Sequence, residues 1–216
     1  MKQYSWSDIT VEQYLDIQEI VSQKDITPTD FIIGVGEVLF EIGEDITTKE
    51  LKEIKEAIAF VGNPIVGKLN TTEVKNFKRL TLADFIELDV VLVTNNFVDS
   101  VAKVGSILFD CDVMDRNIIP IYKAVEEFIK YRQNTYKSFP NLFDSDDDED
   151  VSEEEGDEEE SQPPNPAQSW LNSVFGLTKG DITKYNEVMQ MPHLLVFNWA
   201  SLTESLSNKK KDTTNQ

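Results

Sequence analysis

Residues 9–21, ITVEQYLDIQEIV, return in altered form as residues 80–92, LTLADFIELDVVL, at an offset of 71 (position 9 to position 80). Thr10 matches Thr81, Tyr14 matches Phe85, Leu15 matches Ile86, Asp16 matches Glu87 and Ile17 matches Leu88. A second pair, DFIIGVGEVLF (30–40) and DSVAKVGSILF (99–109), follows at an offset of 69 (position 30 to position 99). Two blocks in the same order at nearly the same spacing define a unit of about 70 residues present twice. Its copies span about 5–75 and 76–140. A duplicated unit confines the fold to architectures that accept the same packing solution twice.

The repeated pattern is helical. Val11, Tyr14, Leu15 and the pair Ile20–Val21 recur at steps of three and four residues, the spacing of one helix face. Thr10 or Asp8 can cap the first of these helices, and Thr81 or Asp84 its copy. KELKEIKEAIAFV (49–61) adds a further amphipathic helix, and KAVEEFIKYRQ (123–133), after Pro120, takes the same part in the second copy. Between the copies, NPIVGKLNTTEVKNFKRL sets β-branched residues around polar turn signals and allows a small β-hairpin. The expected fold class is mainly α, with an internally duplicated helical domain over 1–143.

Between Asp144 and Glu160 there are thirteen carboxylates and no Lys or Arg. The formal charge of −20 therefore leaves only about −7 for the rest of the chain. Such a run, with Pro163, Pro164 and Pro166 beyond it, cannot bury enough apolar surface to offset the entropy of ordering. Residues 144–167 are expected to be an acidic disordered linker. The charge balance argues against nucleic acid or an anionic membrane as partner, since both require clustered cations. No apolar run approaches the ~20 residues of a membrane span. The single cysteine, Cys111, allows no intrachain disulfide, which fits a reducing cytoplasm.

Past the linker, residues 168–208 read as a small three-helix module, followed by a polar tail over 209–216. Trp170, Leu171, Val174, Phe175 and Leu177 suit a short helix ended at Lys179–Gly180. Asp181 or Thr183 can cap a second, and Pro192 sits at the first turn of a third. So small a module has little core of its own, and either docks on the N-terminal domain or offers its apolar face to a partner, the reading that a long charged tether favours. Trp170, Phe175, Leu194, Leu195, Phe197 and Trp199 are its candidate partner-binding set, and equally the candidate core of the module itself.

Nothing in the chain assembles a catalytic constellation. GNPIVGKL (62–69) spaces two glycines and a lysine as a phosphate loop does, but Leu69 stands where a magnesium-binding Ser or Thr belongs. Gly34 and Gly36 lack the third glycine of a dinucleotide loop and suit close helix packing instead. His193 is the only histidine, so no two-histidine metal site exists, and at a helix start after Pro192 a packing or surface role explains it. Cys111 reads as a small core residue. The run from Asp144 offers carboxylates at calcium-loop spacing but has Glu149 where the loop requires glycine. The chain is expected to be no enzyme and to carry no cofactor.

The opening SWSDITVEQYLDIQEI (5–20) resembles the starts of small proteins encoded in tailed-bacteriophage structural-gene clusters. LTLADFIELD (80–89) is similar to an internal block of the same proteins. GDITKYNEVMQMPHLLVFNW (180–199) resembles the C-terminal piece of tail assembly chaperones. That family implies a non-catalytic protein of the host cell cytoplasm, with a helical first domain, a charged junction and a helical extension. A shorter form coats the tape-measure protein and an extended form, often made by ribosomal frameshifting, recruits tail-tube subunits. Alternatives of other kinds are a structural component of the virion (connector, baseplate or tail) and an acidic inhibitor of a host nucleic-acid-binding protein.

Overall fold

A computed structural model of the chain describes residues 2–40, 42, 46–143 and 166–214. Among these the structure is mainly helical, with ten α-helices, three short 3₁₀ turns and no sheet. The helices are α1 (Val11–Ser22), α2 (Pro28–Leu39), α3 (Thr48–Ala57), α4 (Leu82–Thr94), α5 (Phe97–Phe109), α6 (Ile118–Ser138), α7 (Pro140–Phe143), α8 (Pro166–Leu177), α9 (Ile182–Met189) and α10 (His193–Thr214). The hairpin allowed by residues 63–80 is absent. That segment is irregular, with a turn in which the Asn70 side chain accepts from the Thr72 amide at 3.3 Å, then a 3₁₀ turn at Phe77–Arg79. Side-chain hydrogen bonds to nearby backbone compete there with strand pairing. The acidic linker expected over 144–167 lies outside the described residues except for Pro166 and Ala167, which begin α8. The polar tail starting at 209 continues α10 as far as Thr214.

Contacts divide the chain into two compact units, each assembled from separated segments: Met1–Lys75 with Asn95–Phe128, and Asn76–Thr94 with Ile129–Gln216. These are not the blocks 1–143 and 168–208 read from the sequence. The second copy of the repeat is divided, with α4 in one unit and α5 in the other, and residues 166–214 belong to the same unit as α4.

In the first unit, Thr10 caps α1 through a reciprocal pair of bonds with Gln13, at 3.1 and 3.2 Å. Just ahead of it the chain crosses the segment that opens α6. The Val11 amide donates to the Arg116 carbonyl at 2.9 Å, and the Ile118 amide to the Ile9 carbonyl at 2.9 Å. Asn117 reinforces this crossing, with its amide nitrogen 2.8 Å from the Ser7 carbonyl and its oxygen accepting from the Ile119 amide at 3.0 Å. Ile9, Val11, Ile17, Val101, Leu108, Ile118 and Ile121 are fully buried around it. A Cβ on Gly36 would stand 3.0 Å from Ile54, and one on Gly105 would stand 2.5 Å from Ile121. These matched glycines therefore serve helix contact.

The second unit repeats the crossing. Thr81 caps α4 with Asp84. The Leu82 amide donates to the Met191 carbonyl at 2.8 Å and the His193 amide to the Leu80 carbonyl at 3.1 Å. Thus α10 stands to α4 as α6 stands to α1, with Val113–Met114 matched by Val188–Met189 and Ile118 by His193, at an offset of 75 (position 113 to position 188). The preceding helices match as well. Each of α5 and α8 is followed by a non-glycine residue in the left-handed region, Asp110 and Lys179, both at φ 54°. Each is closed by a six-residue backbone bond, Cys111 amide to Ser106 carbonyl and Gly180 amide to Phe175 carbonyl.

Two substitutions test these packing claims in opposite directions by denaturant unfolding. Gly105→Ala is expected to cost about 1–3 kcal/mol, because the buried Ile121 side chain must move. Lys179→Gly is expected to add about 0.5–1 kcal/mol by removing the left-handed strain on a side-chain-bearing residue.

Candidate protein-binding site

The second unit holds the most unusual side-chain chemistry in the described residues. Asp89, on α4, is 3% exposed. It accepts from the Tyr136 hydroxyl at 2.6 Å and from the Trp170 indole at 2.7 Å, and it pairs with the Arg132 guanidinium. Arg132 also lies over the Tyr136 ring, 4.5 Å from its centroid. Burial, first, and the neighbouring Asp89 charge push the Tyr136 hydroxyl well above its ordinary range, so it remains a donor. One carboxylate on α4 thereby fixes two positions on α6 and one on α8. A buried charge is tolerated only when its lone pairs are met in this way.

His193 is fully buried at the start of α10. Its Nδ1 lies 2.9 Å from the Leu80 carbonyl and its Nε2 2.9 Å from the Tyr131 hydroxyl. A carbonyl can only accept, so Nδ1 carries the proton and Nε2 accepts from Tyr131. The ring stacks on Phe85 with centroids 4.6 Å apart. Burial lowers its pKa, opposed by the bond to Leu80. Of the packing and surface roles that the sequence left open for this histidine, the structure shows packing. Cys111 is half-buried rather than a core residue.

The six candidate residues separate by role. Phe197 is buried, 3% exposed, and stacks on Trp170 at 5.9 Å, while Phe85 meets it edge-on at 5.4 Å. Trp170 is half-buried and tied to Asp89, and Leu194 is half-buried. Phe175, Leu195 and Trp199 are 56%, 55% and 46% exposed. Phe197 and Trp170 hold the tail helices to α4, and Phe175, Leu195 and Trp199 face outward. Beside Trp199 lies a cavity of about 580 Å³ between α7, α8 and α10, walled by Leu142, Phe143, Trp170, Leu177, Phe197 and Trp199. Sequence reasoning missed Phe143 and the Asp89–Arg132–Tyr136 group. An acidic residue inside the apolar stripe Phe85, Leu88, Val91 was the available signal for the group.

Of the ten large apolar side chains exposed among the described residues, seven fall in 166–203: Leu171, Phe175, Ile182, Met191, Leu195, Trp199 and Leu202. Among the described residues no three His, Cys, Asp or Glu side chains are placed to hold a metal ion, and no helix is long and apolar enough to cross a membrane. GNPIVGKL does not lead into a helix, so the strand–loop–helix setting of a phosphate loop is missing. Comparison with protein-family models, with curated proteins and with solved structures returns no match.

Asp89→Asn is expected to cost about 3 kcal/mol, since it strands the largely buried Arg132 charge; a denaturant midpoint measures it. The folded state holds His193 neutral with a lowered pKa, so the unfolded chain binds more protons as pH falls. Its contribution is expected to be intact above about pH 6.5 and to be lost progressively below it. Proton NMR of this lone imidazole should show it titrating below that value, and titration at or above it would contradict the buried neutral assignment.

Proposed function

We propose that the protein is a non-catalytic assembly chaperone of the tailed-phage type. It acts in the host cytoplasm, holding a long helical tape-measure protein and recruiting tail-tube subunits to it. The observation that carries this reading is the concentration of outward-facing apolar side chains on α8, α9 and α10. Scattered apolar residues on a surface require no explanation, but seven within one short stretch of chain, with Trp199 among them lining a cavity, mark an interaction face. A long helical protein made before its tube is assembled exposes apolar stripes along its length. A groove between helices receives such a stripe through residues spaced three and four apart. The resemblance of residues 5–20, 80–89 and 180–199 to tail-assembly proteins supplies the identity of the partner.

The double substitution Leu195→Asp with Trp199→Asp tests the face. Both side chains point outward, so circular dichroism is expected to be unchanged. Recovery of the helical partner with the tagged chain from cells assembling particles is expected to fall at least about tenfold. Undiminished recovery would rule out this face. Presence of the chain in finished particles would make it a structural virion component instead of a chaperone.

A further inference from the structure

Within the first unit, α2 and α5 are copies of one helix held in one register by their caps. Thr27 accepts from the Asp30 amide, and Asn96, at an offset of 69 (position 27 to position 96), accepts from the Asp99 amide. On the shared inner face Val35 and Val104 are both 0% exposed. One turn earlier the copies part: Ser100 and Val101 are 0% exposed, whereas their counterparts Phe31 and Ile32 are only half-buried. The helix that follows accounts for the difference. Gly36 lies against Ile54 of α3 and Gly105 against Ile121 of α6, so α3 stands to α2 as α6 stands to α5. But α3 closes at Ala57, three positions past Ile54 (position 54 to position 57), while α6 runs seventeen past Ile121 (position 121 to position 138).

Where α3 gives way to the 3₁₀ turn Ala59–Gly62, a cavity of about 600 Å³ opens, walled by Val21, Phe31, Ile32, Ile58 and Val61 with Lys55 at the end of α3. A packing layer that is closed over the start of α5 is thus left open over the start of α2. Charge narrows what completes it. Lys55 is the one charged side chain on the wall, which carries no carboxylate, and among the described residues Lys55 makes no ion pair. The occupant is therefore apolar along the cavity and negative where it passes Lys55. The outward stripe of α10 has no carboxylate from His193 to Thr203, so a second copy docked by that stripe would leave Lys55 without a counter-charge.

We infer that this groove binds an amphipathic helix of another protein in place of the turns that α3 lacks. Apolar side chains spaced three and four apart enter the cavity, and a carboxylate beside them meets Lys55. The apolar stripe supplies most of the affinity, and the exposed ion pair adds a smaller share that selects the partner. The inference goes beyond the helix-binding role proposed above, because it gives the first unit a helix site of its own.

Two synthetic helical peptides of about four turns are the probes, with the same Leu stripe flanked by either Glu or Gln. Binding is followed by calorimetry at physiological ionic strength, which screens the chain's distant charges. The full-length chain carries Leu195→Asp with Trp199→Asp, so that the outward face of α10 is not read. The Glu peptide is expected to bind about three- to fivefold more tightly than the Gln peptide, and Lys55→Gln to remove that difference. Val21→Asp, at a wall position 47% exposed, is expected to weaken binding at least about tenfold. Ala59→Glu, at a second exposed wall position, gives the same reading should the first variant lose helicity. No binding, equal binding of the two peptides, or binding insensitive to both wall variants would overturn the inference. Self-association of the chain that Val21→Asp abolishes would also overturn it, since a second copy would then be the occupant. Failure here leaves the chaperone reading standing, because the face that carries that reading is removed from the measurement.

Discussion

Each unit depends on one short crossing, in which the extended residues before a helix exchange two backbone hydrogen bonds with the residues that open a later helix. Ile9 and Val11 do this with Ile118 and Arg116, and Leu80 and Leu82 with His193 and Met191. A lone pair of bonds is worth little by itself in water. Its force comes from what it sets: both helix starts are fixed at one point, so the apolar faces that follow must pack against each other. Both of its ends are capped or buried, by Thr10 and Asn117 in one unit and by Thr81 and His193 in the other.

Placing the C-terminal helices on α4 changes their physical character. A free three-helix extension of some forty residues would bury too little surface to be stable alone. Here Val174, His193, Val196 and Phe197 share a core with Leu82, Phe85 and Leu88, and Trp170 meets the buried Asp89. With the inward faces used in this way, Leu195 and Trp199 remain outside without loss of order. Function, on this reading, uses the side of the module that folding does not need.

The helical periodicity, the caps at Thr10 and Thr81, Asp181 ahead of α9 and the turn at Lys179–Gly180 were all legible in the sequence, because each rests on local spacing or on a single side-chain bond. The second duplication was not. Asp110 and Asn117 lie seven positions apart while Lys179 and Pro192 lie thirteen apart, and most of α9 falls in the longer connection. Ile118 is replaced by a histidine that must bring its own two hydrogen-bond partners. Pairing at this distance depends on backbone crossings that leave no residue pattern, so α4 was grouped with α5, its neighbour in sequence, and not with α10. Which of the six candidate site residues are covered and which point outward follows from which side of α8 and α10 meets α4, and periodicity alone does not orient a helix. The acidic run was legible as charge and lies outside the described residues.

Hydrogen exchange of the full-length chain, read by amide-resolved mass spectrometry, tests most directly whether the C-terminal helices are built into the fold and present their far side. The expected result is that the Leu82 and His193 amides exchange as slowly as each other, opening together with α4, while Phe175 and Trp199 stay accessible to side-chain labelling in the same sample. Fast exchange across residues 166–203 with α4 still protected would contradict it, because the C-terminal helices would then be a tethered module and the groove between them no fixed site.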